Sequence, residues 1–384
     1  MYEIKKYFLK LLLLLAIPIF PKLYFALPFF LRNRLNFSYI NNHIKIQVLL
    51  FFLVVYILTY EIVKFSDLTY RTIQSVTPFV IFLFLSFIKC DFDFLVKIKN
   101  CVYSIFYLDL FVNVISVLIN INVNREQINY FDSFYHSLSG FYGHPYLCVS
   151  ISIVTFLYAF LFKDKRMQIF AICNLFFVST LRSALLIYPI IIAYKVLSKK
   201  YKFSTLLASL FIGFILIFQY VKYDSNIAYI DRCKLDIQTS KYGYCENLNS
   251  SALRLYAWES FFKTFLQINI LGNLSNPIRK DYTSLTPKII AEKKIFESPY
   301  FQYTYDYGFI FSFFLIYLFL HLMHVNYKNA INEIPNLFKK NLYTTKLFIC
   351  CIYFFDTFYG VFFFTPISLL TLPFILFYYD NEKL

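Results

Sequence analysis

The sequence predicts an all-α polytopic membrane protein with about 12 transmembrane helices and one large extracytoplasmic loop between helices nine and ten. Three observations carry this. Apolar residues make up 59% of the chain and charged residues 15%, with a mean hydropathy of +0.58, well away from soluble composition. Apolar runs of roughly 17–20 residues recur, long enough to cross ~30 Å of hydrocarbon. The runs do not alternate apolar with polar residues, as the strands of a membrane β-barrel would.

The formal net charge of +15 is explained by position. Most of the Lys and Arg outside the long loop fall in short segments that alternate with charge-poor ones, which is the positive-inside pattern. A nucleic-acid site would need cations clustered on a soluble face, so no nucleic-acid partner is expected. The opening Met1-Tyr2-Glu3-Ile4-Lys5-Lys6 precedes an apolar run with no small-residue cleavage site behind it, so the run reads as the first helix rather than a removed signal.

In chain order, Lys5 and Lys6 place the N-terminus in the cytoplasm. Residues 7–20 and 23–31 read as two short spans meeting at Pro21-Lys22. Arg32, Arg34 and Lys45 are cytoplasmic. Span three is 46–63 and span four 72–89, joined outside. Lys89, Lys97 and Lys99 are cytoplasmic again, and span five is 102–120. Residues 121–145 form an external loop ending in Gly140-Phe141-Tyr142-Gly143-His144-Pro145, and Pro145 suits a first helical turn. Span six is 146–162, and Lys163-Asp164-Lys165-Arg166 is cytoplasmic. Residues 168–197 divide into two spans meeting outside at Thr180-Leu181-Arg182-Ser183. After Lys195, Lys199, Lys200 and Lys202, span nine is 205–221. The loop covers 222–300. Span ten is 303–323, followed by cytoplasmic Lys328, Lys339, Lys340 and Lys346. Spans eleven (347–363) and twelve (366–379) form a final hairpin, leaving both termini inside. The organisation is therefore a membrane domain (1–221), an external loop (222–300) and a second membrane portion (301–384).

Chemistry is expected in and around the loop. Asn249-Ser250-Ser251 offers N-cap residues for a helix from Leu253 to Leu266. At 100° per residue, Arg254, Trp258, Phe261, Phe262 and Phe265 share one face, and Glu259 and Lys263 pair on the other. A cation on an apolar face is costly unless it meets an anion. Arg182, at a boundary between spans, is a second functional candidate. Two guanidiniums facing one compartment suit a pyrophosphate, which Arg grips bidentately while keeping its charge. Glu297, directly before span ten, could act as a general base, or be a solvated carboxylate favoured by the helix dipole. His144 and Tyr300 lie on the same side as candidate binding residues, with Trp258 beside Arg254. Asp109 and Asp356 fall inside spans, where interhelical partners are expected.

Cys90, Cys101, Cys148, Cys173, Cys350 and Cys351 lie in or at the edges of helices as packing residues. Cys233 and Cys245 lie in the loop. If it is extracytoplasmic they could close a disulfide; the alternative is two free thiols. Asp91-Phe92-Asp93 matches the Asp-x-Asp of metal-dependent glycosyltransferases but sits in a short loop with no soluble fold around it. No Gly-rich phosphate loop, zinc spacing or Gly-x-Ser-x-Gly elbow is present, and no metal or cofactor is expected.

The pattern resembles the O-antigen polymerase and ligase superfamily of bacterial envelope enzymes. Thr180-Leu181-Arg182-Ser183-Ala184 is similar to the family's Ser-Arg-small helix junction. Arg254, Trp258 and Gly272 resemble its Arg…Trp…Gly loop pattern. Glu297-Ser298-Pro299-Tyr300 followed by Gly308 is similar to the segment closing the loop, and Gly143-His144-Pro145 resembles a His-Pro turn. Ligases of this family typically carry a His-Asn pair at the loop's end. Here that place holds Glu297-Ser298 and the loop has no histidine, which favours the polymerase over the ligase. A lipid-linked sugar flippase is the non-enzymatic alternative; it should spread cations through a central cavity and have no large external loop. The resemblance implies polymerisation of undecaprenyl-pyrophosphate-linked repeat units into O-antigen or capsular polysaccharide, without metal or nucleotide, at the outer face of the inner membrane. Arg182, Arg254 and Glu297 would be catalytic and His144, Trp258 and Tyr300 substrate-binding. The implied partners are lipid-linked glycans, membrane lipids and a chain-length regulator.

Overall fold

A computed structural model describes residues 40–65, 70–88, 90–118, 145–177, 181–238, 250–273, 296, 298–332, 336–359 and 365–378. The described chain is all-α. Its helices are α1 (Ile40–Phe65), α2 (Tyr70–Ser86), α3 (Phe92–Leu118), α4 (Pro145–Leu161), α5 (Lys165–Phe177), α6 (Leu181–Ser198), α7 (Phe203–Gln238), α8 (Ser250–Thr264), α9 (Pro299–Ile331), α10 (Leu337–Tyr359) and α11 (Pro366–Leu376). Segments in α1, α3, α7 and α9 are long and apolar enough to cross a membrane, and α2, α4, α6 and α11 carry shorter apolar stretches. Together they form the helix set of a multi-pass membrane protein.

The helices agree with the spans read from hydropathy, with differences that have a physical cause. The two spans expected in 7–31 lie outside the described residues. α3 begins at Phe92, ten residues before the expected span, because Asp91 caps it: its Oδ1 accepts from the Phe94 amide at 2.8 Å. The Asp-x-Asp sequence is thus a helix start, as polar residues before an apolar run often are. α7 runs on to Gln238, well past the span end expected at 221, because Lys222 and the polar residues after it end hydropathy without ending helix propensity. Part of the expected loop is therefore a helical extension of the bundle.

The helices run between two ends that differ in character. At one end Phe203 meets His324 and Tyr327 of α9 at centroid distances of 5.1 and 5.3 Å, and Phe92 meets Phe338 at 5.2 Å. The Tyr327 hydroxyl donates to the Tyr201 carbonyl. Lys163, Lys165, Arg166, Lys199, Lys200, Lys202, Lys328, Lys339 and Lys340 gather along the helix termini at this lysine-rich end. At the opposite end the middle of α7 meets the start of α9 through α8. Trp258 stacks on Phe218 at 5.5 Å and meets Phe301 edge-on at 6.4 Å. Phe261 stacks on Phe301 at 4.4 Å.

Between the ends, α3, α4 and α5 are joined by a fully buried polar knot. The Cys148 thiol and the Asn174 amide both donate to Asp109 Oδ2, at 2.8 and 3.0 Å, and Asn174 also donates to Ser152 at 2.9 Å. Asn113 donates to Asn174 Oδ1 at 2.9 Å. This is the interhelical partnership expected for an acidic residue inside a span. Asp356 is likewise buried.

Candidate functional site at the broken end of α9

α9 opens with Ser298 as N-cap, its side chain accepting from the Phe301 amide, and with Pro299 in the first turn. Ser298 Oγ also donates to the Thr357 carbonyl at 3.2 Å, tying the helix start to α10. Two turns further on, the helix breaks. Gly308 has φ +84° and ψ −178° inside an otherwise helical run, a backbone region open essentially to glycine. Gly272, with φ +103°, packs against it. A Cβ on Gly308 would meet the Ile270 carbonyl, and one on Gly272 would meet the backbone of Asp306. Here two backbones lie in contact, and glycine is required at both positions for space as well as conformation.

A break at membrane depth frees backbone groups that must find partners within the protein. α1 and the 270–273 segment supply them. The Tyr56 hydroxyl donates to the Tyr307 carbonyl at 2.9 Å, and the Tyr60 hydroxyl to the Gly272 carbonyl at 3.0 Å. The Asn273 amide donates to the Tyr305 carbonyl at 2.8 Å, and the Ile310 amide reaches the Ile270 carbonyl at 3.5 Å. Tyr307 turns its hydroxyl to Glu61 Oε1 at 2.9 Å. Glu61 is fully buried, and among the described residues its other oxygen, Oε2, has no hydrogen-bond partner. Nearby, Gln302 donates to Asp306 Oδ2 at 3.0 Å and accepts from the Phe296 amide at 3.1 Å. Among the described residues no three His, Cys, Asp or Glu side chains come together as a metal site.

The sequence-predicted residues distribute as follows. Arg182 is the second residue of α6 and Arg254 the fifth of α8; their side chains lie outside the described part. α6 ends at Ser198 beside the lysine-rich terminus, so Arg182 heads it at the opposite end. α8 docks at that same end through Trp258 and Phe261. The fold thus carries both arginine positions on one end of the bundle. Glu297, His144 and Cys245 lie outside the described residues. Cys233 falls in the extension of α7, its side chain not described. Tyr300 is half-buried, its ring 4.6 Å from Phe358. Trp258 is completely buried among Phe214, Phe218 and Phe301. Its indole is a packing anchor between α8 and its neighbours α7 and α9. The apolar face expected for α8 is also rotated. Trp258 and Phe261 face inward with Leu255 and Ala257, while Phe262 and Phe265 are exposed.

Glu61 and the tyrosines around it were not singled out from sequence. The signal was present: an acidic residue closing the apolar run 46–60, in a place where buried charge marks function by default.

A fold of this kind, with a long helix broken at Gly308 and held by the 270–273 segment, is that of a helical multi-pass membrane protein. No family model matches the chain, and no curated protein matches it either.

Proposed function

We propose that this protein polymerises lipid-pyrophosphate-linked oligosaccharide repeat units at the outer face of the cytoplasmic membrane. In this reading the lysine-rich end is cytoplasmic and the broken end external, with 12 spans in all and both termini inside. The observation that supports the reading is that Arg182 and Arg254 stand near the starts of two helices at the same end of the bundle, opposite the end where α6 and α9 finish.

The donor is a glycan on undecaprenyl pyrophosphate. As its anomeric carbon–oxygen bond breaks, negative charge builds on the departing pyrophosphate at the membrane surface. Two fixed guanidiniums stabilise that charge without reorganising. The acceptor is a hydroxyl at the non-reducing end of a second lipid-linked unit. Its oxygen forms the new glycosidic bond, and its proton passes to a carboxylate, assigned to Glu297 just before α9. Tyr300 and His144 bind sugar in this scheme. Trp258 serves it indirectly, by fixing α8 and hence the backbone that carries Arg254. The absence of histidine from the loop favours polymerisation over ligation to a lipid A-core.

The test is the lipopolysaccharide of a deletion strain, resolved on a gel. Core carrying a single repeat unit, with no ladder, is the expected result. Bare core with long lipid-linked chains accumulating would mean a ligase. Bare core with unpolymerised lipid-linked units held inside would mean a flippase.

A further inference from the structure

We infer that residues 262–271, the end of α8 and the turn after it, dip into the bilayer leaflet at the broken end and contact lipid acyl chains directly. This segment is Phe262-Lys263-Thr264-Phe265-Leu266-Gln267-Ile268-Asn269-Ile270-Leu271. Its outward face is apolar: Leu266 is 95% exposed, Ile270 66%, Leu271 55% and Phe262 51%. Four large apolar side chains on one short segment are a costly surface to show to water.

The depth of the segment follows from its attachments. α1 carries the apolar window Ile44–Val63. At about 1.5 Å per residue, Tyr60 and Tyr56 lie ~5 Å and ~10 Å inside the Val63 end of that window. Tyr60 holds the Gly272 carbonyl, and Tyr56 holds Tyr307, next to the glycine against which the segment packs. Phe265 meets Phe309 of α9 at 5.2 Å. The turn is therefore pinned at a level inside the apolar length of α1, within the ~5–10 Å to which interfacial helices bury themselves.

A second feature is independent of the first. Non-helical backbone in lipid must satisfy its own polar groups, and this turn does so closely. The Ile268 amide donates to Phe265 O and the Gly272 amide to Asn269 O. Asn273 Oδ1 accepts from the Asn269 amide at 2.9 Å, and its Nδ2 donates to the Gln267 carbonyl at 2.9 Å. The Ile270 and Gly272 carbonyls are taken by Ile310 and Tyr60. Gln267 and Asn269 are the exposed amide side chains on the segment; its one charged residue, Lys263, sits at its very start, and Glu259 stands upstream, toward the headgroups. The occupant of this face is lipid.

The chain has one tryptophan, Trp258. In a Trp258→Phe background, Leu266→Trp, Ile270→Trp and Glu259→Trp are each reconstituted as the full chain in phosphatidylcholine vesicles, with lipid brominated near mid-chain or left plain. Emission from positions 266 and 270 should be blue-shifted, fall by half or more in brominated lipid, and resist aqueous acrylamide. Position 259 should show the reverse. Acrylamide quenching at 266 and 270 with no effect of bromine would overturn the inference. If Trp258→Phe does not fold, the same substitutions are made with Trp258 kept and the unsubstituted protein as baseline, read by the same two criteria. The result does not depend on the proposed enzymatic activity.

Discussion

The two ends of the bundle solve the same problem differently. At the lysine-rich end the helices stop in ordinary ways. Asp91 and Asn336 accept from amides in the first turns of α3 and α10. Lys163 and Lys200 take the left-handed conformation (φ 58° and 50°) next to helix ends, and cations there complement the helix dipole. These caps are local, although Tyr327 and Lys346 also reach the distant Tyr201 and Tyr378 carbonyls. At the other end a long helix is broken in mid-run and repaired from a distance. Tyr56, Tyr60 and Glu61 of α1 and the 270–273 turn all converge on Tyr305–Gly308. One end is closed largely by caps from neighbouring residues; the other is held where three distant segments meet. Irregular backbone of this kind persists only where the surrounding structure holds it in place.

The largest effect that would test this contrast is on activity. Arg254→Ala and Arg182→Ala should each remove the polymer ladder while protein abundance holds, since loss of one preorganised charge-stabilising group costs about 10²–10³ in rate. Normal chain lengths in either variant would sink the catalytic assignment. Alanine substitution of Lys199 or Lys339, at the lysine-rich end, should leave the ladder unchanged.

Next comes Gly308→Ala. It places a side chain in a glycine-only conformation, at about 1–3 kcal/mol, and drives a Cβ into the Ile270 carbonyl. Thermal unfolding of the detergent-purified protein should drop by several degrees, and protease should gain access to the 265–273 segment. An unchanged melting temperature would mean that the break is not held as described.

Tyr307→Phe is expected to cost about 1–3 kcal/mol, because it strands a buried carboxylate that already has one open oxygen. Adding Glu61→Leu should recover part of that loss, since removing both partners is far milder than removing one. A double variant less stable than the additive expectation would show that Glu61 has another partner. The smallest effect is predicted at the lysine-rich end. Lys346 is buried and its Nζ donates to the Tyr378 carbonyl at 2.7 Å. Lys346→Met should cost about 1–2 kcal/mol, seen as a modest shift in melting temperature with the polymer ladder intact.

Much of the fold was legible before any coordinates. Hydropathy located α2, α4, α6 and α11 to within a few residues, whereas α1 and α10 begin at Ile40 and Leu337, well before their expected spans, and α9 runs on to Ile331; the junction expected at Thr180–Ser183 falls at the start of α6, because an interrupted apolar run with an arginine inside it cannot be one span. Helix ends were read less well where polarity and helicity part company, as at Phe92 and beyond Lys222. The site was legible only in part. Arginine positions stand out in an apolar chain, whereas the burial of Trp258 depends on Phe214, Phe218 and Phe301 arriving from two other helices.

Sequence by itself determined the class of protein, a helical multi-pass membrane protein, because that follows from the transfer cost of side chains one segment at a time. Tertiary structure decided that α9 breaks at Gly308, that Gly272 lies against it, and that Glu61 faces Tyr307 with one oxygen open. These depend on which backbone groups lose their local partners and which distant residues replace them. Hydrogen bonds between residues more than two hundred positions apart, such as Tyr56 to Tyr307 and Glu61 to Tyr307, leave no periodic trace in the chain that makes them.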